Sequence, residues 1–191
     1  KFPPNNIDEF IKYAKANGDK INLANAGLGA VSQLCGTLLQ GALATKFTAI
    51  PFQGTGPAMT ALLGGQVDVL CDQTTQTLPQ IKSDKVKLYG VTTLKRIPSL
   101  PDAPTLNESG LKGFEVVVWH GIYAPKGTPP AALERINNEM KAILTPPEAK
   151  QQFADRGYHT IWLNVADGQQ KVAEELASLN RTIEASKIER Q

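Results

Sequence analysis

The stretch INLANAGLGAVSQLCGTLLQGALATKFTAIP, residues 21–51, predicts a strand, a helix and a second strand in succession. Its two ends, INLAN (21–25) and FTAIP (47–51), are short apolar runs typical of buried strands, and apolar residues recur at helical spacing between them. A turn that contains Gly27 and Gly29 joins the first strand to the helix. Strands that alternate with helices pair in parallel, so this stretch predicts one β-α-β unit of an α/β fold.

The same alternation continues on both sides of this unit. Asn6 followed by Glu9 is an N-cap signature and predicts a helix over about 7–17. The elements predicted on the C-terminal side are helices over about 56–64 and 75–83 and strands over 67–71 and 86–92. This part of the chain therefore indicates one α/β body with a parallel sheet.

The pattern changes after residue 95. Residues 96–110 are rich in proline and turn residues, and a long apolar strand is predicted from 114 until it breaks at APKGTPP (124–130), which favours a crossing between two bodies. The elements predicted beyond it are a helix over about 129–144 capped by Thr128, a helix opened by Pro146 and Pro147, a strand over 159–163 and a helix over about 165–187.

The composition argues against nucleic-acid binding and membrane insertion. With 191 residues, of which 41% are hydrophobic and 20% charged, the chain is expected to form one or two globular domains. The net charge of +2 is spread without a basic run, so nucleic acid is not an expected partner. No apolar stretch approaches the length of a membrane span. The opening KFPPNN is typical of the middle of a longer polypeptide, so the lack of a leader says little about the compartment.

Polar residues follow three consecutive predicted strands, in NAGLGAVSQ (25–33), PFQGTGPAMT (51–60) and CDQTTQT (71–77). Ligands of parallel α/β sheets bind outside the carboxyl ends of the strands, and the first turn of a helix offers unpaired N–H groups to an anion. A single glycine-rich turn is more often only a tight connection. Its recurrence at three strand ends, without the Gly-Lys-Ser/Thr of a nucleotide loop, favours a site for a small polar anion.

Three longer motifs resemble one known family. These motifs are IPFQGTGPAMTALLGGQVDVLCDQ (50–73), VTTLKRIPSLPDAPTLNESGLKGFE (91–115) and WHGIYAPKGTPP (119–130), and they are similar to the tripartite tricarboxylate transporter substrate receptors, the TctC or Bug-type periplasmic binding proteins. The resemblance runs from about residue 3 to the C-terminus. It implies a type II periplasmic-binding-protein fold, in which two α/β lobes close on a small organic carboxylate that is delivered to membrane transporter subunits. Neither catalysis nor a cofactor is implied.

The resemblance also implies that part of the receptor lies outside this chain. Residues 3–119 would form a complete second lobe that carries half of the ligand cleft, and residues 120–191 would form the C-terminal portion of the first lobe. The family's N-terminal third would precede KFPPNN. The strand at 159–163 would then lack its sheet, and tight trapping by lobe closure is not expected of this chain alone.

The family's ligand-binding positions map onto the three polar turns. The residues that match are Ala26, Gly27, Gly29, Ser32 and Gln33 in the first turn, Gln53 and Gly54 in the second, and Asp72 and Thr74 in the third. The family usually has Ser at position 30 and His at position 33, where this chain has Ala30 and Gln33. Without the imidazole, binding is expected to be less sensitive to pH near neutrality.

Several roles stay open on the sequence. Asp72 either contacts the ligand or caps the helix that follows, and capping is the commoner role. Ser32, Asp72 and His120 resemble a hydrolase triad in composition, but the chain has no G-x-S-x-G elbow and Ser32 falls inside a helical pattern. The sequence is also compatible with a ligand-sensing or effector module and with a non-transporting remnant of the same fold.

The two cysteines, Cys35 and Cys71, are too few for a zinc site, and no metal is expected. They are either two buried thiols or one disulfide, and which of these holds depends on the compartment. Both lie near the expected ligand edge of one lobe, and a disulfide would close a loop of 37 residues, 35 through 71 inclusive. The oxidising periplasm that the resemblance implies leaves the choice between thiols and disulfide open.

Overall fold

The structure, a computed structural model, describes residues 2–185. It divides into two compact units, Lys1–Trp119 and His120–Gln191. A parallel sheet organises the first unit, whereas the described residues of the second are organised by helices.

The first unit begins with a capped helix, as predicted. The Oδ1 atom of Asn6 accepts from the N–H of Glu9 at 2.9 Å, and Oε2 of Glu9 accepts from the N–H of Asn5 at 2.8 Å. The first bond satisfies a backbone donor that the first turn leaves without an intrahelical partner, and the second holds the residue before the N-cap. The elements of this unit are α1 (Ile7–Asn17), β1 (Asn22–Asn25), α2 (Val31–Leu43), β2 (Thr48–Pro51), α3 (Thr55–Leu63), β3 (Val69–Leu70) and α4 (Thr74–Lys82).

The three strands form a parallel sheet in the order β2-β1-β3. Leu23 of β1 pairs with Ala49 on one side and with Val69 on the other. After β1 the chain forms β2 on one side of it, then crosses over β1 and forms β3 on the other side. The direction of winding reverses between β1 and β3, and such a switch point is where open α/β sheets form a ligand crevice. The predicted parallel α/β architecture is confirmed.

Strand alternation divides the sheet's side chains between two faces. Leu23 and Val69 lie in the main core with residues of α1 and α2, whereas Ala24 lies in a second core with Ala58 and Ala61 of α3. Helix α2 lies close to β1, because a Cβ atom on Gly36 would come within 2.5 Å of Cδ2 of Leu23. A glycine at this position therefore lets the helix approach the central strand.

Two strands predicted for the rest of this unit are wrong. Residues 86–92 form one isolated parallel bridge, between Val91 and Thr105, and a single backbone bond from the N–H of Val116 to Thr92 O. Neither 86–92 nor 114–119 forms a strand. A strand needs a partner ladder, and the apolar pattern here serves packing instead: Val91 shares a small core with Ile97 and Ala103.

The segment before this bridge anchors the start of the described chain. Nζ of Lys87 donates to the carbonyl oxygens of Phe2 and Pro4 at 2.9 and 2.8 Å, and the hydroxyl of Tyr89 donates to Pro4 O at 3.0 Å. The ring of Tyr89 stacks on Phe10 with 4.9 Å between centroids. Burial, with a smaller effect of the negative charge of Glu9, raises the pKa of Tyr89 to about 12. The anchoring phenol therefore stays protonated across the physiological range.

The second unit contains α5 (Pro130–Leu144), α6 (Pro147–Asp155) and α7 (Val165–Ala185). Nε1 of Trp162 donates to Asn137 O at 3.1 Å, and Nδ2 of Asn137 donates to Leu163 O at 2.9 Å. These bonds fasten the segment before α7 to α5. Among the described residues of this unit, Gly157 alone is buried.

Two predictions for the second unit are wrong. Residues 159–163 form no strand in the described structure, because no partner strand is present there for their backbone groups. Thr128 does not cap a helix: its hydroxyl donates to Pro125 O at 2.8 Å, and α5 begins at Pro130 with Pro129 as N-cap. The last two residues of the helix predicted over 165–187 lie outside the described residues. Across residues 2–185 every helix is too short or too polar to cross a bilayer.

Candidate ligand-binding site

The parallel sheet brings the three polar turns to one edge. Each turn follows the carboxyl end of a strand, and the turn after β1 lies between the other two because β1 is central. The first and second turns are in close approach, since a Cβ atom on Gly27 would lie 3.2 Å from Phe52 O. Gly27 has φ +105°, a conformation that a residue with a side chain rarely adopts. The predicted glycine-rich turn therefore needs glycine here for both conformation and space.

Side chains of neighbouring residues order the first turn. Oδ1 of Asn25 accepts from the N–H of Gly27 at 3.0 Å, and Oγ of Ser32 accepts from the N–H of Ala26 at 2.9 Å. Oε1 of Gln33 accepts from the N–H of Gly29 at 2.8 Å. The N–H groups of Ala26, Gly27 and Gly29, residues predicted from the sequence to bind the ligand, are thus hydrogen-bonded within the turn.

Other donors of this turn stay available. The N–H groups of Leu28, Val31 and Ser32 have no acceptor among the residues that the structure describes, and neither has Nε2 of Gln33. Since Oε1 of Gln33 is held by Gly29, the amide presents Nε2 as a donor. Helix α2 adds the positive end of its dipole, and its first turn contains no acidic residue. Backbone and amide donors at a helix N-terminus suit a carboxylate or phosphate group.

The second turn contributes polar groups without charge. Gln53 is exposed, and Gly54 has φ +104° and is the N-cap of α3. The first turn of α3 contains no acidic residue. A second helix N-terminus therefore adds positive potential at the same edge of the sheet.

The third turn contains a carboxylate, Asp72, directly after Cys71. Oδ1 of Asp72 accepts from the N–H of Gln73 at 2.8 Å, and its Oδ2 atom is buried without a hydrogen-bond partner in the described structure. Burial raises the pKa of the Asp72 carboxyl, and the bond from Gln73 opposes this in part. The alternative that Asp72 caps α4 is wrong, because the N-cap of this helix is Gln73, which makes no side-chain capping bond. Thr74, the other predicted residue here, is the first residue of α4.

The sulfur atoms of Cys35 and Cys71 are joined in a disulfide, with 6.3 Å between the Cα atoms. Cys35 lies in the second turn of α2 and is 2% exposed. The bridge thus joins the helix that begins at the first turn to the start of the third turn.

Asn25 is the residue of this region that sequence reasoning missed. The pattern placed it at the end of a strand, where its side chain is 4% exposed and orders the glycine-rich turn. An asparagine two residues before a glycine is the signature of a local side-chain turn, which is the signal available in the sequence.

The fold and these turns define a class of protein: an α/β lobe with three polar turns and free backbone donors at its topological switch point. Residues 1–188 match the family described as tripartite tricarboxylate transporter family receptor. The chain belongs to this family. The expected resemblance and the periplasmic-binding-protein fold are confirmed.

Relatives and solved structures agree with this assignment. The UPF0065 protein in the TAR-I ttuE-ttuC' intergenic region of Agrobacterium vitis is 47% identical over 154 residues, which are 81% of this chain and 44% of that protein. The structure of the periplasmic binding protein BugD has a TM-score of 0.88 and 48% identity, covering 100% of this chain and 64% of that one. MatC (Rpa3494) from Rhodopseudomonas palustris with bound malate has a TM-score of 0.81 and 36% identity, covering 96% and 63%. The chain spans about half the length of the curated relatives it matches.

Proposed function

We propose that this chain is part of a periplasmic receptor that binds a small organic carboxylate for a tripartite tricarboxylate-type transporter. The observation that carries the proposal is the turn after β1, where the N–H groups of Leu28 and Val31 and the amide of Gln33 are free to donate. These donors are uncharged and lie at a helix N-terminus, an arrangement that accepts a carboxylate. Family membership and the malate bound to MatC support the same ligand class.

The proposed role is binding without catalysis. Ser32 lies in the first turn of α2, and its oxygen already accepts a backbone hydrogen bond from Ala26. A serine nucleophile needs a base that accepts its own proton, and no such base contacts Ser32 among the described residues. The ligand-facing residues proposed for binding are Ala26, Gly27, Gly29, Ser32, Gln33, Gln53, Gly54, Asp72 and Thr74.

We assign the two units different places in the receptor. Lys1–Trp119, with its own sheet and core, is the complete lobe that carries half of the cleft. His120–Gln191 is part of the other lobe, and its exposed apolar helix faces are consistent with a sheet that this chain does not supply. The share of BugD that this chain covers, 64%, supports the same division.

Isothermal titration calorimetry tests the ligand class. Malate, adipate, citrate and glucose are titrated into the 191-residue chain and into a Q33A variant. We expect at least one of the acids to bind and glucose not to bind. Q33A is expected to weaken binding by about tenfold, the value of one good hydrogen bond to a charged group.

A matched control separates the site from the rest of the lobe. Gln66 is exposed and precedes β3, so it lies at the opposite edge of the sheet, and Q66A is expected to bind as the wild type does. The dissociation constant for malate is also expected to change little between pH 6 and pH 8, because position 33 holds no imidazole. Binding of glucose in preference to every acid would contradict the proposal.

The transporter partnership needs a test in cells. Deletion of the gene is expected to abolish uptake of the radiolabelled acid that binds best in calorimetry, and deletion of the membrane subunits is expected to have the same effect. Uptake that persists at the wild-type rate without the receptor would refute the partnership while leaving the binding function intact.

A further inference from the structure

The disulfide occupies a defined place in the sheet. Strand alternation puts Val69 on the face that packs against α2, and Leu70 packs with the other core. The next residue, Cys71, therefore returns to the α2 face and packs against the main core. Cys35 of α2 is in the same core, next to Gly36, where a Cβ atom would meet Leu23 of β1. The sheet and the close helix thus bring the two sulfur atoms together at the switch point.

The two sides of the first turn are held differently. Toward β2, backbone pairing continues to Asn25 and Pro51, and the N–H of Phe52 donates to Asn25 O at 2.9 Å. Toward β3, the register ends one residue earlier, at Ala24 and Leu70. The covalent bridge begins at the next residue, Cys71. The disulfide therefore holds the β3 side of the first turn, where backbone pairing with β1 ends one residue sooner than on the β2 side.

We propose that the Cys35–Cys71 disulfide positions the ligand-binding turns, by fixing the N-terminal turns of α2 against the turn that contains Asp72. The proposal rests on the ligand site of the proposed function. Ligand donors that are ordered before binding lose less conformational entropy when the ligand arrives, so a preorganised crevice binds more tightly. Both cysteines are positioning residues, because neither is placed in contact with the ligand.

Hydrogen exchange and calorimetry test this role on the full 191-residue chain. The double variant C35A/C71A removes the bridge, and C35S/C71S does so with side chains closer in size to cysteine. Both are expected to exchange amide hydrogens faster in residues 28–33 and 72–76, and to raise the dissociation constant for malate by about tenfold. A tenfold change corresponds to ordering one or two further side chains on binding.

The matched control is L43A, at the opposite end of α2. Leu43 is 2% exposed in the same core, so its truncation lowers global stability without touching the site. At a temperature where all variants remain folded, L43A is expected to leave exchange in the two turns and malate affinity unchanged.

The outcomes separate this proposal from the proposed function. Exchange in both turns that is as slow in the double variants as in L43A would overturn the positioning role, and so would unchanged malate affinity in a chain that binds malate. If the wild-type chain binds no acid while the double variants exchange faster in both turns, the receptor function fails and the bridge still positions the turns.

Discussion

Lys1–Trp119 and the described part of His120–Gln191 contain similar amphipathic helices but bury them to very different extents. In the first unit, apolar residues of α1, α2 and β1 share one core with residues as distant in sequence as Phe114. In the second, Ile136 and Ile143 of α5 and Leu176 of α7 stay 46%, 56% and 56% exposed. Since burial of apolar area is the main driving force for folding, helical pattern alone does not make a stable body. A sheet that accepts the apolar faces makes the difference.

Separation of the two units gives the largest expected effect. Residues 1–119 expressed alone are expected to unfold cooperatively, because they contain a sheet, its covering helices and their core. Residues 120–191 alone are expected to show helical circular dichroism without a cooperative thermal transition. Dispersed amide resonances and a sharp melting transition for residues 120–191 would contradict the comparison.

Truncation of an aromatic residue in each unit compares the two at single-residue level. Phe10 is 3% exposed and packs with Phe2 and Tyr89, so F10A is expected to cost about 3–5 kcal/mol of unfolding free energy. Phe153 of α6 contacts Tyr158 edge-on at 6.2 Å but is only half-buried, and F153A is expected to cost about 1 kcal/mol. Urea unfolding of the full chain measures both. Equal losses of unfolding free energy in F10A and F153A would show that the two units are packed equally well.

Loss of the disulfide is expected to destabilise the first unit alone. The bridge closes a loop of 37 residues, since the two cysteines are 36 positions apart, and the chain-entropy treatment gives it about 3–4 kcal/mol. The C35A/C71A variant tests this by urea unfolding, with amide exchange in α5 and α7 as the internal control. Mass spectrometry after alkylation without reductant is expected to find no free thiol, and two alkylated cysteines would refute the bridge.

Glycine-to-alanine changes are expected to have opposite signs in the two units. G36A places a methyl group against Leu23, so we expect a loss of about 1–3 kcal/mol. Gly168 of α7 has open space where its Cβ would lie, so G168A is expected to gain about 0.5–1 kcal/mol from helix propensity. Thermal unfolding checks the signs. A stabilising G36A would show that α2 does not approach β1 as closely as described.

The smallest expected effect concerns the buried carboxyl of Asp72. Burial raises the folded-state pKa of Asp72 above its unfolded-state pKa, so the folded state binds the proton more tightly. The protein therefore loses stability as the pH rises from the unfolded-state pKa through the folded-state pKa. D72N removes the charge and keeps an oxygen for the N–H of Gln73. The stability of D72N relative to wild type is expected to be greatest at neutral pH and to decline as the pH falls toward about 3.9, the ordinary value for Asp. Calorimetric scans across this range would contradict the expectation if the difference grew at low pH.

Helices whose ends and apolar spacing are set by residues a few positions apart could be predicted well from the sequence. The cap of α1 needs only Asn6 and Glu9, and the bounds of α2 follow from the apolar spacing after the glycine-rich turn. The strands predicted at 86–92 and 159–163 are wrong because an apolar run does not by itself supply a hydrogen-bonded partner strand. The helix caps predicted for Asp72 and Thr128 are wrong, because Asp72 accepts from the N–H of Gln73 and Thr128 donates to Pro125 O. The other role considered for Asp72, contact with the ligand, stays a prediction.

The sequence by itself determined the alternation of strands and helices, the parallel sheet and the three polar turns, because period, turn chemistry and glycine placement act over a few residues. Tertiary structure alone decided that β1 is central and that Cys35 meets Cys71. It also decided which helices find a core. The physical reason is that strand order and disulfide geometry depend on distances between residues far apart in the chain, which local pattern does not specify.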